Sequence, residues 1–199
     1  MSTLDTDVFL TRQPQAKADE QFIRRWSPRA FAGTPLSEAQ LSQIFEAARW
    51  SPSCFNSQPW RFIYGLADTP EWDPLFGLLM DMNQVWARRA GALVAVVSKT
   101  TFDSGDPAPT HAFDTGSAWM AMALQAQRMG LISHAMWGVH HEQVPTVLGL
   151  TDDYQFMAMV ALGYPGVAED LPEKLRAREV PSPRQPLTEL AMPGRLRSS

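Results

Sequence analysis

Residues 51–60 read Ser-Pro-Ser-Cys-Phe-Asn-Ser-Gln-Pro-Trp. These ten residues lie between a helical pattern and a strand pattern, yet they hold two prolines, three serines, an asparagine and a glutamine. A corner between two elements needs only a few residues of turn chemistry. Polar side chains on a backbone stiffened by proline suit a segment that presents groups to a ligand. Asn56 and Gln58 stand two apart, and Pro59 biases Gln58 toward extended geometry, so both amides are expected to face one way. An amide carries donors and an acceptor in one plane. Two of them match the edge of a flat heterocycle, and Ser53 adds a hydroxyl or backbone contact. The plainer reading is that Asn and Ser are ordinary loop formers. Trp60 reads as core or interface, and Cys54 as a small buried residue.

Working outward, the segment before this stretch predicts a helix from Ser37. Leu41, Ile44, Phe45 and Ala48 recur at i, i+3, i+4 and i+7, and Ser37 with Gln40 forms a capping-box pattern. Residues 61–66 after it predict a strand. Residues 71–91 are helical in character with a polar break at Asp81–Gln84, and residues 92–99 predict a short buried strand. Residues 113–129 predict a helix ended by Gly130; apolar nearly all round, it is expected to be the buried central one. Residues 132–140 read as a strand followed by a loop, residues 141–150 as a short helix, and residues 155–165 as a strand closed by Gly-Tyr-Pro. A first helix is expected over Asp19–Trp26. Residues 1–17 are expected to be a loose N-terminal arm, and the Pro-rich, charged residues 165–199 an extended C-terminal arm. Helices and strands alternate without a βαβ rhythm, so the expected class is an α+β sandwich in a single domain over 1–199.

A second polar cluster lies in Arg24-Arg-Trp-Ser-Pro-Arg-Ala-Phe31. Arg25, Ser27 and Arg29 fall two apart, and Pro28 favours an extended path at Ser27, so the three side chains share one face. Two guanidiniums and a hydroxyl on one face suit a phosphate. Basic residues are also favoured at a helix C-terminus by the dipole alone, and this segment by itself does not choose. Arg184, between prolines in the tail, reads either as a group closing on an anion or as a solvated charge.

Composition narrows the partners. Of 199 residues, 45% are hydrophobic and 19% charged, with seven Trp and ten Phe. The charged share lies under the ~25% usual for soluble domains; that much apolar surface predicts an oligomer. A net charge of −4 argues against nucleic acid, which calls for a basic face. One Cys excludes an intrachain disulfide, and His111, His134, His140 and His141 lack the spacing of a zinc site. The first 20 residues show no signal-type apolar core and the apolar run 92–97 is too short to span a bilayer, so a cytoplasmic protein away from membranes is expected. No Rossmann, P-loop or nucleophile-elbow pattern occurs.

Together these segments resemble the nitroreductase family of flavin enzymes, from Arg24 to about Leu190. "RRWSPRAF" resembles its R-x-S-x-[RK]-x-F signature, and "SPSCFNSQPWRF" its A-P-S-x-x-N-x-Q-P-W segment. "MNQVW" before "ALVAVVSKT" is similar to its Asn-bearing helix and following strand, "AMWGV" to its glycine-containing loop over the flavin, and "ALGYP" with "RQPL" to its G-x-P turn and basic tail. The resemblance implies a three-layer α-β-α fold with a mostly antiparallel sheet, and a homodimer with two FMN sites at the subunit interface. It implies that Arg25, Ser27, Arg29 and Arg184 hold the FMN phosphate, with Trp26 and Pro28 contributing backbone or packing. Pro52, Ser53, Asn56 and Gln58 would line the ring or ribityl chain, some from the partner. Asn83 would meet the pyrimidine side, and Trp137 and Gly138 would sit over the ring near N5. Trp137 stands where some members carry Glu, and Ser182 where some carry Lys.

The implied activity is ping-pong transfer of hydride from NADH or NADPH through flavin N5 to a nitroaromatic, quinone or related acceptor. The flavin carries the chemistry, so no catalytic side chain and no metal is expected. Alternatives on the same scaffold are reductive dehalogenation, flavin breakdown, or flavin storage without turnover. The loop 101–111 and the helical segment 71–91 are expected to shape the acceptor pocket.

Overall fold

The computed structural model describes residues 6–196; the ends of the two expected arms, 1–5 and 197–199, lie outside them. In chain order the elements are α1 (Glu20–Arg24), α2 (Glu38–Arg49), β1 (Trp60–Leu66), α3 (Trp72–Gly77), α4 (Asp81–Ala87), β2 (Ala92–Lys99), α5 (His111–Arg128), β3 (Ile132–Met136), α6 (Val144–Leu148), β4 (Tyr154–Gly163), α7 (Glu173–Arg176) and α8 (Leu187–Leu190). The four strands form one antiparallel sheet in the order β1-β2-β4-β3.

Strand period 2 splits the core into two layers. Ala92, Val94 and Val96 of β2 and Val160 and Leu162 of β4 pack with Leu41, Ile44 and Ala48 of α2 and Ala118, Met122 and Ala126 of α5. The alternate residues Leu93, Ala95, Met159 and Ala161 pack with Leu75 of α3 and Trp86 and Ala87 of α4. Helices cover both faces, which makes the α-β-α sandwich. The central strand β2 is buried on both sides, as its β-branched run requires.

Local signals explain most boundaries. Ser37 caps α2 with both bonds of the capping box. Gly130 takes φ 72° just past α5, a left-handed position that favours glycine. Helix α1 stops at Arg24, before the expected Trp26, because the chain is already extended at Arg25 on its way to Ser27-Pro28. The break expected at Asp81–Gln84 falls earlier: Met80 is extended (ψ 149°) and Asp81 opens α4, where an acidic residue favours the helix dipole.

Three expectations are corrected. Helix α5 is buried on one side only; Phe113 is 82% exposed and Met120 36%. In its described part the N-terminal arm is anchored rather than loose: Val8 is buried at 3% exposure and Arg12 at 8%. A single turn at Val8–Leu10, capped by Asp7, brings both inward. Among its described residues the tail from 165 holds no strand, but α7, α8 and the buried Leu171 and Glu179 interrupt its extended course.

Candidate functional site

Arg25, Trp26, Ser27 and Arg29 line one groove of about 630 Å³ together with Arg12, His134 and the tail residues Arg178, Ser182 and Arg184. The extended path after α1 places Arg25 and Ser27 side by side, Arg25 Nη1 donating to Ser27 Oγ at 3.5 Å. Pro28 is buried beneath them, and its carbonyl accepts from His134 Nδ1 at 3.0 Å. The guanidinium of Arg29 lies 6.0 Å from the ring of Trp86.

The groove is strongly cationic. Burial lowers the Arg25 pKa, and the neighbouring Arg184 lowers it further. Burial also brings Arg12 down to about 10, with Arg184 and Arg25 adding to the shift; it remains cationic at neutral pH. Burial lowers Arg29, while Glu179 opposes that and Arg178 reinforces it. The buried Nε of Arg25 has no hydrogen-bond partner. A buried donor left unmade costs ~1–3 kcal/mol, more when charged, so this atom points to an anion as its partner.

Glu179, the acid beside Arg29, serves the backbone. Its Oε1 accepts from Arg29 N at 2.7 Å and Ala30 N at 2.8 Å, clasping the tail to the strand-like segment 29–31. Burial raises its pKa against those two donors and Arg29. Burial is also the main cause that pushes His134 down to about 4, with Arg29 and Arg25 adding to it against its bonds to the backbone, so His134 is neutral at pH 7.

Asn83, Trp137 and Gly138 meet at the end of β3. Asn83 Nδ2 donates to the Gly138 carbonyl at 3.0 Å, and Met80 N donates to the same oxygen at 3.1 Å. A Cβ on Gly138 would lie 2.7 Å from Asn83 Nδ2, so glycine is what lets the amide approach. Trp137 is 62% exposed and its ring lies 4.3 Å from that of His141.

The loop 52–58 has a geometry the sequence did not reveal. Phe55, Asn56 and Gln58 all take positive φ, at 52°, 56° and 46°. Gln58 is therefore not extended before Pro59, and the shared amide face expected from an i, i+2 alternation does not form that way. The cause is internal bonding: Gln58 N donates to Ser53 Oγ at 3.0 Å, and Gln58 Nε2 donates to Asn56 O at 2.9 Å. The loop is also pinned from below, where the buried Asp114 accepts from Cys54 N at 3.1 Å and Ser117 Oγ donates to Pro52 O at 3.4 Å. Non-glycine residues held at φ > 0 cost ~1–3 kcal/mol each and persist where surroundings fix them. Pro52, Asn56 and Gln58 remain exposed.

Phe55 packs edge-on against Phe102, ring centroids 5.8 Å apart, and residues 55–57 border a groove with residues 101–104 and Asp106. The expected acceptor loop is thus beside residues 55–57. The helical segment 71–91 does not join it there; α3 and α4 pack on the other sheet layer.

Within one chain the loop and the arginine groove are far apart. The loop meets α5 at Asp114. Arg25 borders the other end of α5 in a pocket shared with Gln127, whose amide, once rotated, can accept from Arg25 N at 3.1 Å. The separation of 13 positions between them spans roughly 20 Å of helix. The loop also leads into edge strand β1, whereas His134 sits on the opposite edge strand β3.

Sequence reasoning missed Arg12, Glu179, His134 and Asp114. None carries a local signal: each acts on backbone or side chains far along the chain. Among the described residues no group of three or more His, Cys, Asp or Glu is placed to hold a metal, and no helix is long and apolar enough to cross a membrane.

The profile of the Nitroreductase family matches residues 23–71 and 66–164, spans that leave out Arg12 and Arg184. A curated relative, an NADH dehydrogenase of Thermus thermophilus, is 27% identical over 181 residues, covering 76% of this chain and 88% of its own. A crystal structure described as an oxidoreductase containing FMN matches with a TM-score of 0.91 at 40% identity, over 94% of this chain and 97% of that one. A nitroreductase family protein from Clostridium difficile 630 matches at 0.69 and 20% identity, over 91% and 100%; at that identity it speaks for the fold alone.

Proposed function

This chain belongs to the nitroreductase family, and from that premise we propose that it is an FMN-dependent oxidoreductase passing hydride from NADH or NADPH to a nitroaromatic, quinone or related acceptor. The carrying observation is the buried, unpartnered Nε of Arg25 in a groove shared with Arg12, Ser27, Arg29 and Arg184. The donor set fits a phosphate monoester: guanidiniums give charge-assisted bonds, and a serine hydroxyl gives a neutral one.

When bound, FMN supplies reversible two-electron chemistry that links a nicotinamide donor to a second acceptor. The chain's own residues bind, orient and shield. Arg25, Ser27 and Arg184 hold the phosphate, with Trp26 and Pro28 forming the wall and floor of that end. Arg29, steadied over Trp86, adds positive charge. Asn83 is oriented by its bond to the Gly138 carbonyl and offers its remaining polar groups to the ring's pyrimidine side. Trp137, packed at a tilt against His141, shields one side of the ring end from water. Pro52, Ser53, Asn56 and Gln58 present a rigid polar rim to the ring or ribityl chain. None of these roles requires a side chain to move a proton.

The rim and the groove lie at opposite sheet edges, so a second copy of the chain would bring its own rim to the first copy's groove. A homodimer with two composite sites follows. The exposed Phe113 and Met120 on α5 support it, since a contact between copies would cover them.

The test is the visible spectrum of the purified protein with its solution mass. A yellow dimer that bleaches anaerobically on NADH or NADPH and recolours with a quinone or nitroaromatic is the expected result. A colourless protein that ignores added FMN overturns the reading; a yellow one that does not bleach reduces it to flavin storage.

A further inference from the structure

Resting on the reading of the arginine groove as the phosphate end of an FMN site, we infer that Arg12 is a positioning residue that assembles this groove and so sets the preference for FMN over phosphate-free riboflavin. Its side chain is 8% exposed and is bonded to backbone. Nη1 donates to the carbonyls of Ile23 and Arg25 at 2.6 Å each, and Nε donates to the carbonyl of Ser182 at 3.1 Å. Ile23 and Arg25 flank the end of α1, from which Arg25 projects. Ser182 lies two residues before Arg184. One guanidinium therefore fixes both pieces of backbone that carry the groove's cations, across 170 residues of sequence.

The chemistry of the clamp matters as much as its position. Arg12, Arg25 and Arg184 are like charges in one groove: beyond the effect of burial, Arg184 and Arg25 lower the pKa of Arg12, and Arg184 lowers that of Arg25. Ser182, Pro183 and Arg184 are exposed and lie beyond the Glu179 clasp, so without a second tether this stretch would relax away from the other cations. Glu179 already tethers the tail through the backbone N–H groups of Arg29 and Ala30, but its carboxylate opposes the field that attracts an anion. Arg12 binds neutral carbonyls instead. It draws the cations together and adds its own charge. Only a planar fork with several fixed donors reaches three carbonyls at once; a lysine ammonium on a flexible stem does not.

The experiment titrates flavin-stripped wild type, R12K and R12A, each as the full chain, with FMN and with riboflavin, following flavin fluorescence. Circular dichroism and thermal melts establish that each variant is folded. Both variants should lose about tenfold or more in FMN affinity, while riboflavin affinity changes less than about twofold. The ratio of the two affinities then collapses. An equal loss for both ligands marks a merely structural role and overturns the inference, as does an unchanged ratio. Should R12A fail to fold, R12K keeps the apolar stem and the charge and decides by the same ratio. A wild type that binds neither flavin overturns the cofactor reading and this inference with it. A wild type that prefers FMN, with variants that prefer it equally, overturns this inference alone.

Discussion

Arg12 and Arg184 donate to one acceptor, the carbonyl oxygen of Ser182, at 3.1 and 3.2 Å. Two like charges converge on one neutral oxygen, and a third, Arg25, lies close enough to depress the pKa of Arg12. Arg184 Nη1 also donates to Ser182 Oγ and to the Pro183 carbonyl, so in the free chain it is folded onto its own turn. Convergent cations with a buried, unmet donor make a site whose stability rises when an anion arrives.

Inorganic phosphate alone should therefore stabilise flavin-stripped protein. At ten times its dissociation constant the gain is ~1.4 kcal/mol, or about 3–6 °C in Tm for a chain of this length. Arg25→Ala should abolish the shift, since it removes the unpartnered Nε. A thermal melt series in phosphate against chloride at equal ionic strength checks this; equal shifts in the two salts, or a full phosphate shift in the variant, contradict it.

His134 should make the flavin-free protein acid-labile. Its folded pKa is depressed to about 4 from 6.5, so below pH 6.5 the unfolded state takes up a proton that the folded state refuses. The stability this group contributes is complete above pH 6.5 and is lost as pH falls toward 4, to a total of roughly 3 kcal/mol. Arg25 and Arg29 face the ring and add to the depression. Urea unfolding of wild type and His134→Gln at pH 7 and pH 4.5 should show a smaller pH-dependent loss in the variant; parallel losses would assign the effect elsewhere.

Asp114 should control the rim rather than the phosphate end. Its Oδ2 accepts from Cys54 N and from Thr110 Oγ1 at 3.0 Å. Asp114→Ala leaves both donors without that acceptor and should cost ~1–3 kcal/mol. Hydrogen exchange should quicken across residues 53–58. Affinity should fall for FMN and riboflavin alike, the opposite of the pattern expected for Arg12. A variant with unchanged exchange in that loop refutes the anchoring role.

Gly138→Ala should break the Asn83 contact, since the added Cβ would lie 2.7 Å from Asn83 Nδ2. The hydrogen bond it displaces is worth ~1 kcal/mol. Asn83→Ala removes the same bond, so the two changes should be non-additive in a double-mutant cycle. Chemical unfolding of the two single variants and the double variant measures the coupling, and simple additivity would show that the two residues are independent.

The readable part of this protein was whatever depends on neighbours in sequence. The Ser37–Gln40 cap, the buried run of β2, the glycine after α5 and the i, i+2 grouping of Arg25, Ser27 and Arg29 all follow from local sterics, periodicity and capping bonds. Each was visible in a window of a few residues, and together they gave the α+β class and the cationic half of the candidate site. The loop at 52–58 was legible as a polar presentation segment but not in its shape. The local rule for a residue before proline favours an extended Gln58; bonds from Ser53 and Asn56, with the Asp114 anchor 60 residues away, impose left-handed backbone instead.

Only the tertiary structure decided that Arg12 belongs with Arg25 and Arg184, that Glu179 clasps residues 29 and 30, and that His134 lies neutral beneath the arginines. These relations arise from burial and from bonds between distant segments, and no residue pattern records which carbonyl a remote guanidinium will reach. The sequence by itself determined which residues could grip an anion or rim a flat ring. The fold determined that one chain keeps these two sets roughly 20 Å apart along α5, because helix geometry and strand order fix the distance between its ends.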